Sequence, residues 1–157
     1  MTLVHLTPSV YGIAFGVCAG AYVLGTLIGQ RVAPRFGAEV TITLGTGMLA
    51  AGGCVMVRAL LGAPSAWSVI GPMMLYMIGV GLTLPQAQAA AMMPFPERAG
   101  TASSLMGIGQ MGSAAAVGIG VSATLGGTGV SLALIIAVLG LVAAISFRAS
   151  REARRDD

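Results

Sequence analysis

Between Arg58 and Arg148 the chain carries only two charged residues, Glu97 and Arg98. A surface bathed in water needs polar groups, and soluble domains hold roughly 25% charged residues. This chain of 157 residues holds 8%, against 56% hydrophobic. Its surroundings are therefore expected to be lipid for most of its length. In the bilayer core every backbone amide must be satisfied within a helix or a closed barrel. The apolar runs lack the two-residue alternation of a membrane barrel, and Ala, Leu, Met and Gly dominate them. The expected fold class is all-α.

A helix needs about 20 mainly apolar residues to cross a bilayer. Stretches between charges and breakers predict five spans in one bundle, over about 10–30, 40–61, 67–93, 101–123 and 130–147, with a tail over 148–157. Thr7-Pro8-Ser9 marks the first start. Gly62-Ala63-Pro64, then Pro94 with Pro96, then Leu125-Gly126-Gly127-Thr128-Gly129 mark later turns. Arg31, Arg35, Arg98, Arg148, Arg151, Arg154 and Arg155 fall on one side of such a bundle, and Arg58 on the other. Basic residues stay cytoplasmic, so the chain is expected in the cell (inner or plasma) membrane with its N-terminus outside and C-terminus inside. Tyr11 and Trp67 at outer ends, and Phe36, Phe95 and Phe147 at inner ends, suit that orientation. The opening MTLVHLTPSV has neither a basic n-region nor a cleavage pattern, so no signal peptide is expected.

The arginines stand singly at the ends of apolar runs. That placement sets topology and does not build a phosphate-binding face, so no nucleic-acid partner is expected. Cys18, Cys54 and the lone His5 supply no ligand cluster, and no nucleophile–base pair or phosphate-binding loop is present. No metal, cofactor or enzymatic activity is expected.

Two connecting stretches carry more. GTLIGQRVAPRFG covers 25–37, and PFPERAGTASSLMG covers 94–107. In the second, Glu97 just before a helix suits the positive end of the helix dipole, and Thr101 or Ser103 is placed to add local capping. Together the two stretches resemble the C-terminal half of a major facilitator superfamily transporter, most closely its bicyclomycin-resistance-type drug efflux branch. LTPSVYG, over 6–12, is similar to the external loop that leads into the eighth span of such proteins. The resemblance covers essentially the whole chain and likens its five spans to spans eight to twelve of a twelve-span fold. It implies a fragment of a drug/proton antiporter that exports small amphipathic molecules by alternating access, with the missing helices supplied by the same or another chain. It also makes Arg31, Arg35, Gly37, Glu97, Arg98 and Gly100 candidates for a cytoplasmic gate. One departure is Pro34, which stands where the family motif commonly has an acid before its Arg. A small membrane scaffold or assembly subunit, with no transport of its own, is the alternative.

The resemblance turns the first, third and fourth spans toward a central cavity. They carry Tyr22, Gln30, Tyr76, Gln86, Gln88 and Gln110. An unpaired amide in hydrocarbon costs several kcal/mol, so each must meet another helix or water. Gln110, in a helix otherwise built of small and apolar residues, is the leading cavity candidate, with Ser113 beside it. Tyr22 and Tyr76 are candidates for stacking on a flat molecule. The alternatives are an interhelical hydrogen bond for Gln110 and bundle packing for the tyrosines. Gln86 and Gln88 are two apart, so at most one of them faces a cavity. Thr41, Thr43 and Thr46 can bond to the preceding helical turn and need no cavity.

No span holds an acid, Lys or His, so a proton carrier would lie elsewhere in the whole protein. Met73, Met74, Met77, Met106 and Met111 suit either an adaptable wall or plain lipid contact. Gly12, Gly16 and Gly20, then Gly25 and Gly29, are spaced by four along the first span, and Gly112, Ala116 and Gly120 along the fourth. These are expected close-packing faces. Gly79, Gly81 and Pro85 predict a break in the third span, either a gating bend or a static kink.

Overall fold

The computed structural model describes residues 8–61, 66–124 and 129–153. Five α-helices follow one another: α1 (Pro8–Phe36), α2 (Ala38–Leu61), α3 (Ala66–Met92), α4 (Ala99–Thr124) and α5 (Gly129–Ala153). A 3-10 turn, Pro96–Arg98, leads into α4. Among the described residues there is no strand. Four helices are long and apolar enough to cross a membrane, and α5 carries a shorter apolar segment, Ala133–Ala149. The all-α expectation holds, and the chain is a multi-pass membrane protein. The turns expected around 62–65 and 125–128, the first seven residues and the last four lie outside the described residues.

Glycine contacts fix the register of the helices. A methyl group on Gly25 would lie 2.9 Å from Ile78 Cα, and one on Gly29 3.6 Å from Leu82 Cα. Residue numbers rise together, so α1 and α3 run parallel. On α2, a methyl on Gly45 would lie 2.9 Å from Gly79 O and one on Gly52 3.0 Å from Tyr76 N. Here the numbers run opposite, so α2 is antiparallel to α3. It is antiparallel to α5 as well, because a methyl on Gly53 would lie 2.6 Å from Ala137 Cα and one on Gly140 2.9 Å from Leu49 O. The last turns of α1, α3 and α5 therefore share one end of the bundle with the first turn of α2.

These seams explain the cohesion of the bundle. Lipid chains are as apolar as leucine, so burial from water does not drive one helix onto another. Bringing two backbones together adds many small dispersion contacts instead, and only residues without bulk allow it. The buried side chains follow the seams: Ile42, Leu49 and Met56 on α2, with Ala21, Leu82, Ala133 and Ala137 from its neighbours. Thr41 and Thr46 are buried too, and their hydroxyls donate to Gly37 O at 3.0 Å and Ile42 O at 2.9 Å. Thr43 does the same to Glu39 O at 2.8 Å. The expected return to the preceding turn is what all three adopt.

Four local expectations change. The first connection contracts to a single residue: α1 runs through Arg31, Pro34 and Arg35, and α2 begins directly after Gly37. Pro34 lies inside the final turn of α1 and has no N–H to donate to the carbonyl of Gln30, so that turn lacks one helical bond. Gly37 has φ +90°, a conformation that favours glycine after a helix, and its N–H donates to Ala33 O at 2.9 Å. Next, α3 is unbroken from Ala66 to Met92, with Pro72 and Pro85 inside it. Gly79 and Gly81 are contact points: a methyl on Gly79 would lie 2.7 Å from Gly45 O, and one on Gly81 2.8 Å from Thr26 N. Ser103 donates to Gly100 O at 2.9 Å, so its hydroxyl serves a carbonyl and caps no amide. Finally, a methyl added at Gly12, Gly16 or Gly20 would meet nothing within 4 Å, and the same holds for one added at Gly112 or Gly120.

Among the five helices α4 stands apart. It makes slight contact with α3 and α5, and none of its spanning window is buried. Leu105, Ile108, Met111 and Ile119 are 70–72% exposed.

Candidate functional site

The charged residues gather at one end. Arg31 and Arg35 lie exposed in the final turns of α1, and Gly37 follows them. Because α3 runs parallel to α1, the segment after Met92 emerges at that same end. It is held by Met93 N–H donating to Ala89 O at 3.1 Å, Phe95 N–H to Met92 O at 3.0 Å and Arg98 N–H to Phe95 O at 3.1 Å. Two prolines in this stretch have no N–H to leave unsatisfied. Glu97 and Arg98 are exposed in the 3-10 turn, and Gly100, in the first turn of α4, is exposed with open space around it. The carboxylate of Glu97 thus sits by the positive end of α4. All six gate candidates belong to one end of the bundle. Arg58, in the last turn of α2, lies at the other.

The pathway candidates divide. Tyr22 is partly buried on the α1–α3 seam, where its carbonyl accepts from Thr26 Oγ1 at 3.1 Å and backs onto Gly81. Tyr76 is partly buried on the other face of α3, with its backbone against Gly52 of α2. The two tyrosines therefore anchor different seams. Gln110 and Ser113 are both exposed on α4, about one turn apart, and Ser113 Oγ donates to Gln110 O at 3.0 Å. None of these four lines the groove between α2 and α5. Gln86 and Gln88 are both partly buried on α3.

The structure adds residues that spacing alone does not single out. Thr83 Oγ1 is buried against Gly45 with no hydrogen-bond partner among the described residues. In the sequence Thr83 looks like any threonine able to bond back to its own helix, as Thr41, Thr43 and Thr46 do. Gly45, Gly52 and Gly53 carry the α2 seams, and for Gly45 and Gly52, both facing α3, the signal was available: a step of seven residues returns to nearly the same helix face.

Over 95 residues the chain is 36% identical to Multidrug resistance protein D of Escherichia coli (strain K12). The likeness to the major facilitator drug-efflux branch stands. The matched stretch covers 60% of this chain and 24% of that protein, so this chain spans only a part of the relative it matches. No family model matches the chain. No solved structure matches it. The all-α, multi-pass architecture is consistent with a part of such a transporter.

Proposed function

We propose that this chain is part of a secondary transporter, resident in the inner or plasma membrane, that exports small amphipathic molecules in exchange for protons by alternating access. The observation that carries this reading is the likeness to Multidrug resistance protein D, joined to a bundle whose register leaves one helix open. Helices α1, α2, α3 and α5 form the rigid part. Helix α4 faces the region to be completed by the missing helices, from the same or another chain, and presents Gln110 and Ser113 toward the substrate path. Tyr22 and Tyr76 border that path from the two seams of α3. The end that carries Arg31, Arg35, Gly37, Glu97, Arg98 and Gly100 is the cytoplasmic gate, with the N-terminus outside. The proton carrier lies in the remaining helices, since Glu39 and Glu97 stand at helix ends and the apolar stretches beyond them hold no acid, Lys or His.

The test is drug accumulation in cells stripped of their own efflux pumps and expressing the full-length protein. Expression should lower accumulation, and an uncoupler that collapses the proton gradient should restore it. Unchanged accumulation at confirmed expression refutes export. Export that ignores the uncoupler refutes proton coupling alone. Gln110→Ala should alter the range of drugs exported at unchanged expression, and an unaltered range returns Gln110 to packing. The open small face of α4 also suits a scaffold that binds partner helices without transport, the reading that survives if no export is found.

A further inference from the structure

Between α2 and α5 runs a groove of about 210 Å³, at the end of the bundle where α5 leaves its apolar segment. On α2 it is lined by Thr43, Gly47 and Ala50, and on α5 by Leu141, Ala144 and Arg148. Each set repeats at three-to-four and seven residues, so the groove follows the helix axes for about 10 Å. The hydroxyls of Thr43 and Thr46 are committed to Glu39 O and Ile42 O, which leaves the floor without a free hydroxyl donor. The strong donor on the groove is the exposed guanidinium of Arg148 at its mouth, one residue before the apolar segment closes at Ala149.

That combination selects a ligand class. Enclosed pockets for drug-sized ligands measure roughly 300–1,000 Å³, larger than this groove, whereas a stretch of acyl chain can lie in it with the rest of the lipid outside. A single acyl chain needs only a narrow apolar trough open along one side. Guanidinium matches phosphate oxygens through paired hydrogen bonds, and Arg148 stands at the end of the apolar segment, where a headgroup lies if α5 crosses the bilayer. Basic pockets between membrane helices recognise anionic headgroups on the same physical grounds. We propose that the α2–α5 groove binds one anionic phospholipid, its phosphate on Arg148 and one acyl chain lying along Leu141, Ala144 and Ala50. The placement requires that α5 cross the bilayer. It does not depend on which side its end emerges, or on transport.

The full-length chain, purified in detergent and delipidated, is titrated with phosphatidylglycerol or phosphatidylcholine of matched acyl chains and examined by native mass spectrometry. One arginine near a membrane surface contributes about 1 kcal/mol, or roughly fivefold in occupancy. The one-lipid complex should therefore favour phosphatidylglycerol by about fivefold, and R148Q should remove the preference. A144F, which fills the groove and keeps the charge, should reduce retention of both lipids. R151Q should leave the preference in place. Equal binding of the two lipids by the native chain overturns the proposal. So does R151Q acting as strongly as R148Q, or A144F binding both lipids as before, since either result assigns the lipid to the charged tail alone. R148Q alters an exposed side chain and carries the test if A144F loses helix content by circular dichroism. A photoreactive residue at Ile145 should cross-link to lipid in native membranes, and a protein adduct there would give the groove to a partner helix.

Discussion

Gly25 on α1 and Gly112 on α4 sit in the same kind of sequence, each in a small-residue stripe spaced by four within an apolar helix. In the structure they could hardly differ more. A methyl on Gly25 runs into the backbone of Ile78, while one on Gly112 meets nothing within 4 Å. The same contrast separates whole regions: α1, α2, α3 and α5 share glycine seams, and α4 stands with its apolar residues exposed. A small-residue stripe permits close approach without guaranteeing that a partner is at hand. What decides is the register of the facing helix, which a stripe does not contain.

The contrast can be broken most forcefully at the seams. Gly53→Leu would drive its side chain into Ala137, and overpacking against backbone costs about 3 kcal/mol or more because backbone cannot rotate away. The expected outcome is loss of the α2–α5 seam. It would be read as a large drop in thermal unfolding temperature in detergent and as loss of a disulfide engineered across the two helices. A normal melt for Gly53→Leu would remove the seam from its place in the structure. Gly37→Ala should act less severely, by about 1–2 kcal/mol, because the cost is one residue forced into a left-handed conformation. Guanidinium or SDS unfolding of the two proteins side by side checks that figure.

Smaller effects sharpen the contrast. Thr83→Val replaces a buried hydroxyl that has no partner among the described residues and should stabilise the bundle by about 1 kcal/mol. Destabilisation would show that the hydroxyl has found a partner. A methyl on Gly112 or Gly120 would meet no neighbouring atom, so each Gly→Ala change should stabilise the isolated chain by about 0.5–1 kcal/mol, the helix propensity gained over glycine. In the completed protein the same two changes should impair function if helices close onto α4. Equal tolerance in both settings would argue that this face meets only lipid.

Much of the fold was legible because hydrocarbon imposes a simple rule: long apolar runs become helices, and charges mark their ends. Helices α1 to α5 cover the expected apolar runs to within a few residues, apart from longer ends at Phe36 and Ala153, and four of them are long and apolar enough to cross a membrane. Those ends escaped because Arg35 and Arg148 read as loop residues, whereas a helix can carry its last turns into the polar region. At Gly79 and Gly81 the helix runs on without interruption, and their packing role was not legible in the sequence. Glycine lowers helix propensity, yet here it sits where α2 and α1 approach most closely, and packing outweighs propensity. Gln110 was visible as an amide in an otherwise small-faced helix. What it faces was not, because α4 has few neighbours among these residues. Thr83 gave no signal at all.

The most direct test of the reading as part of a transporter is the size of the native product. An antibody against the tail RASREARRDD, used on source membranes, should reveal a band near the full length of Multidrug resistance protein D, about four times the stretch matched here. A band at 15.6 kDa would contradict a single-chain transporter, because the five helices would then be made on their own and the missing ones would have to come from another chain.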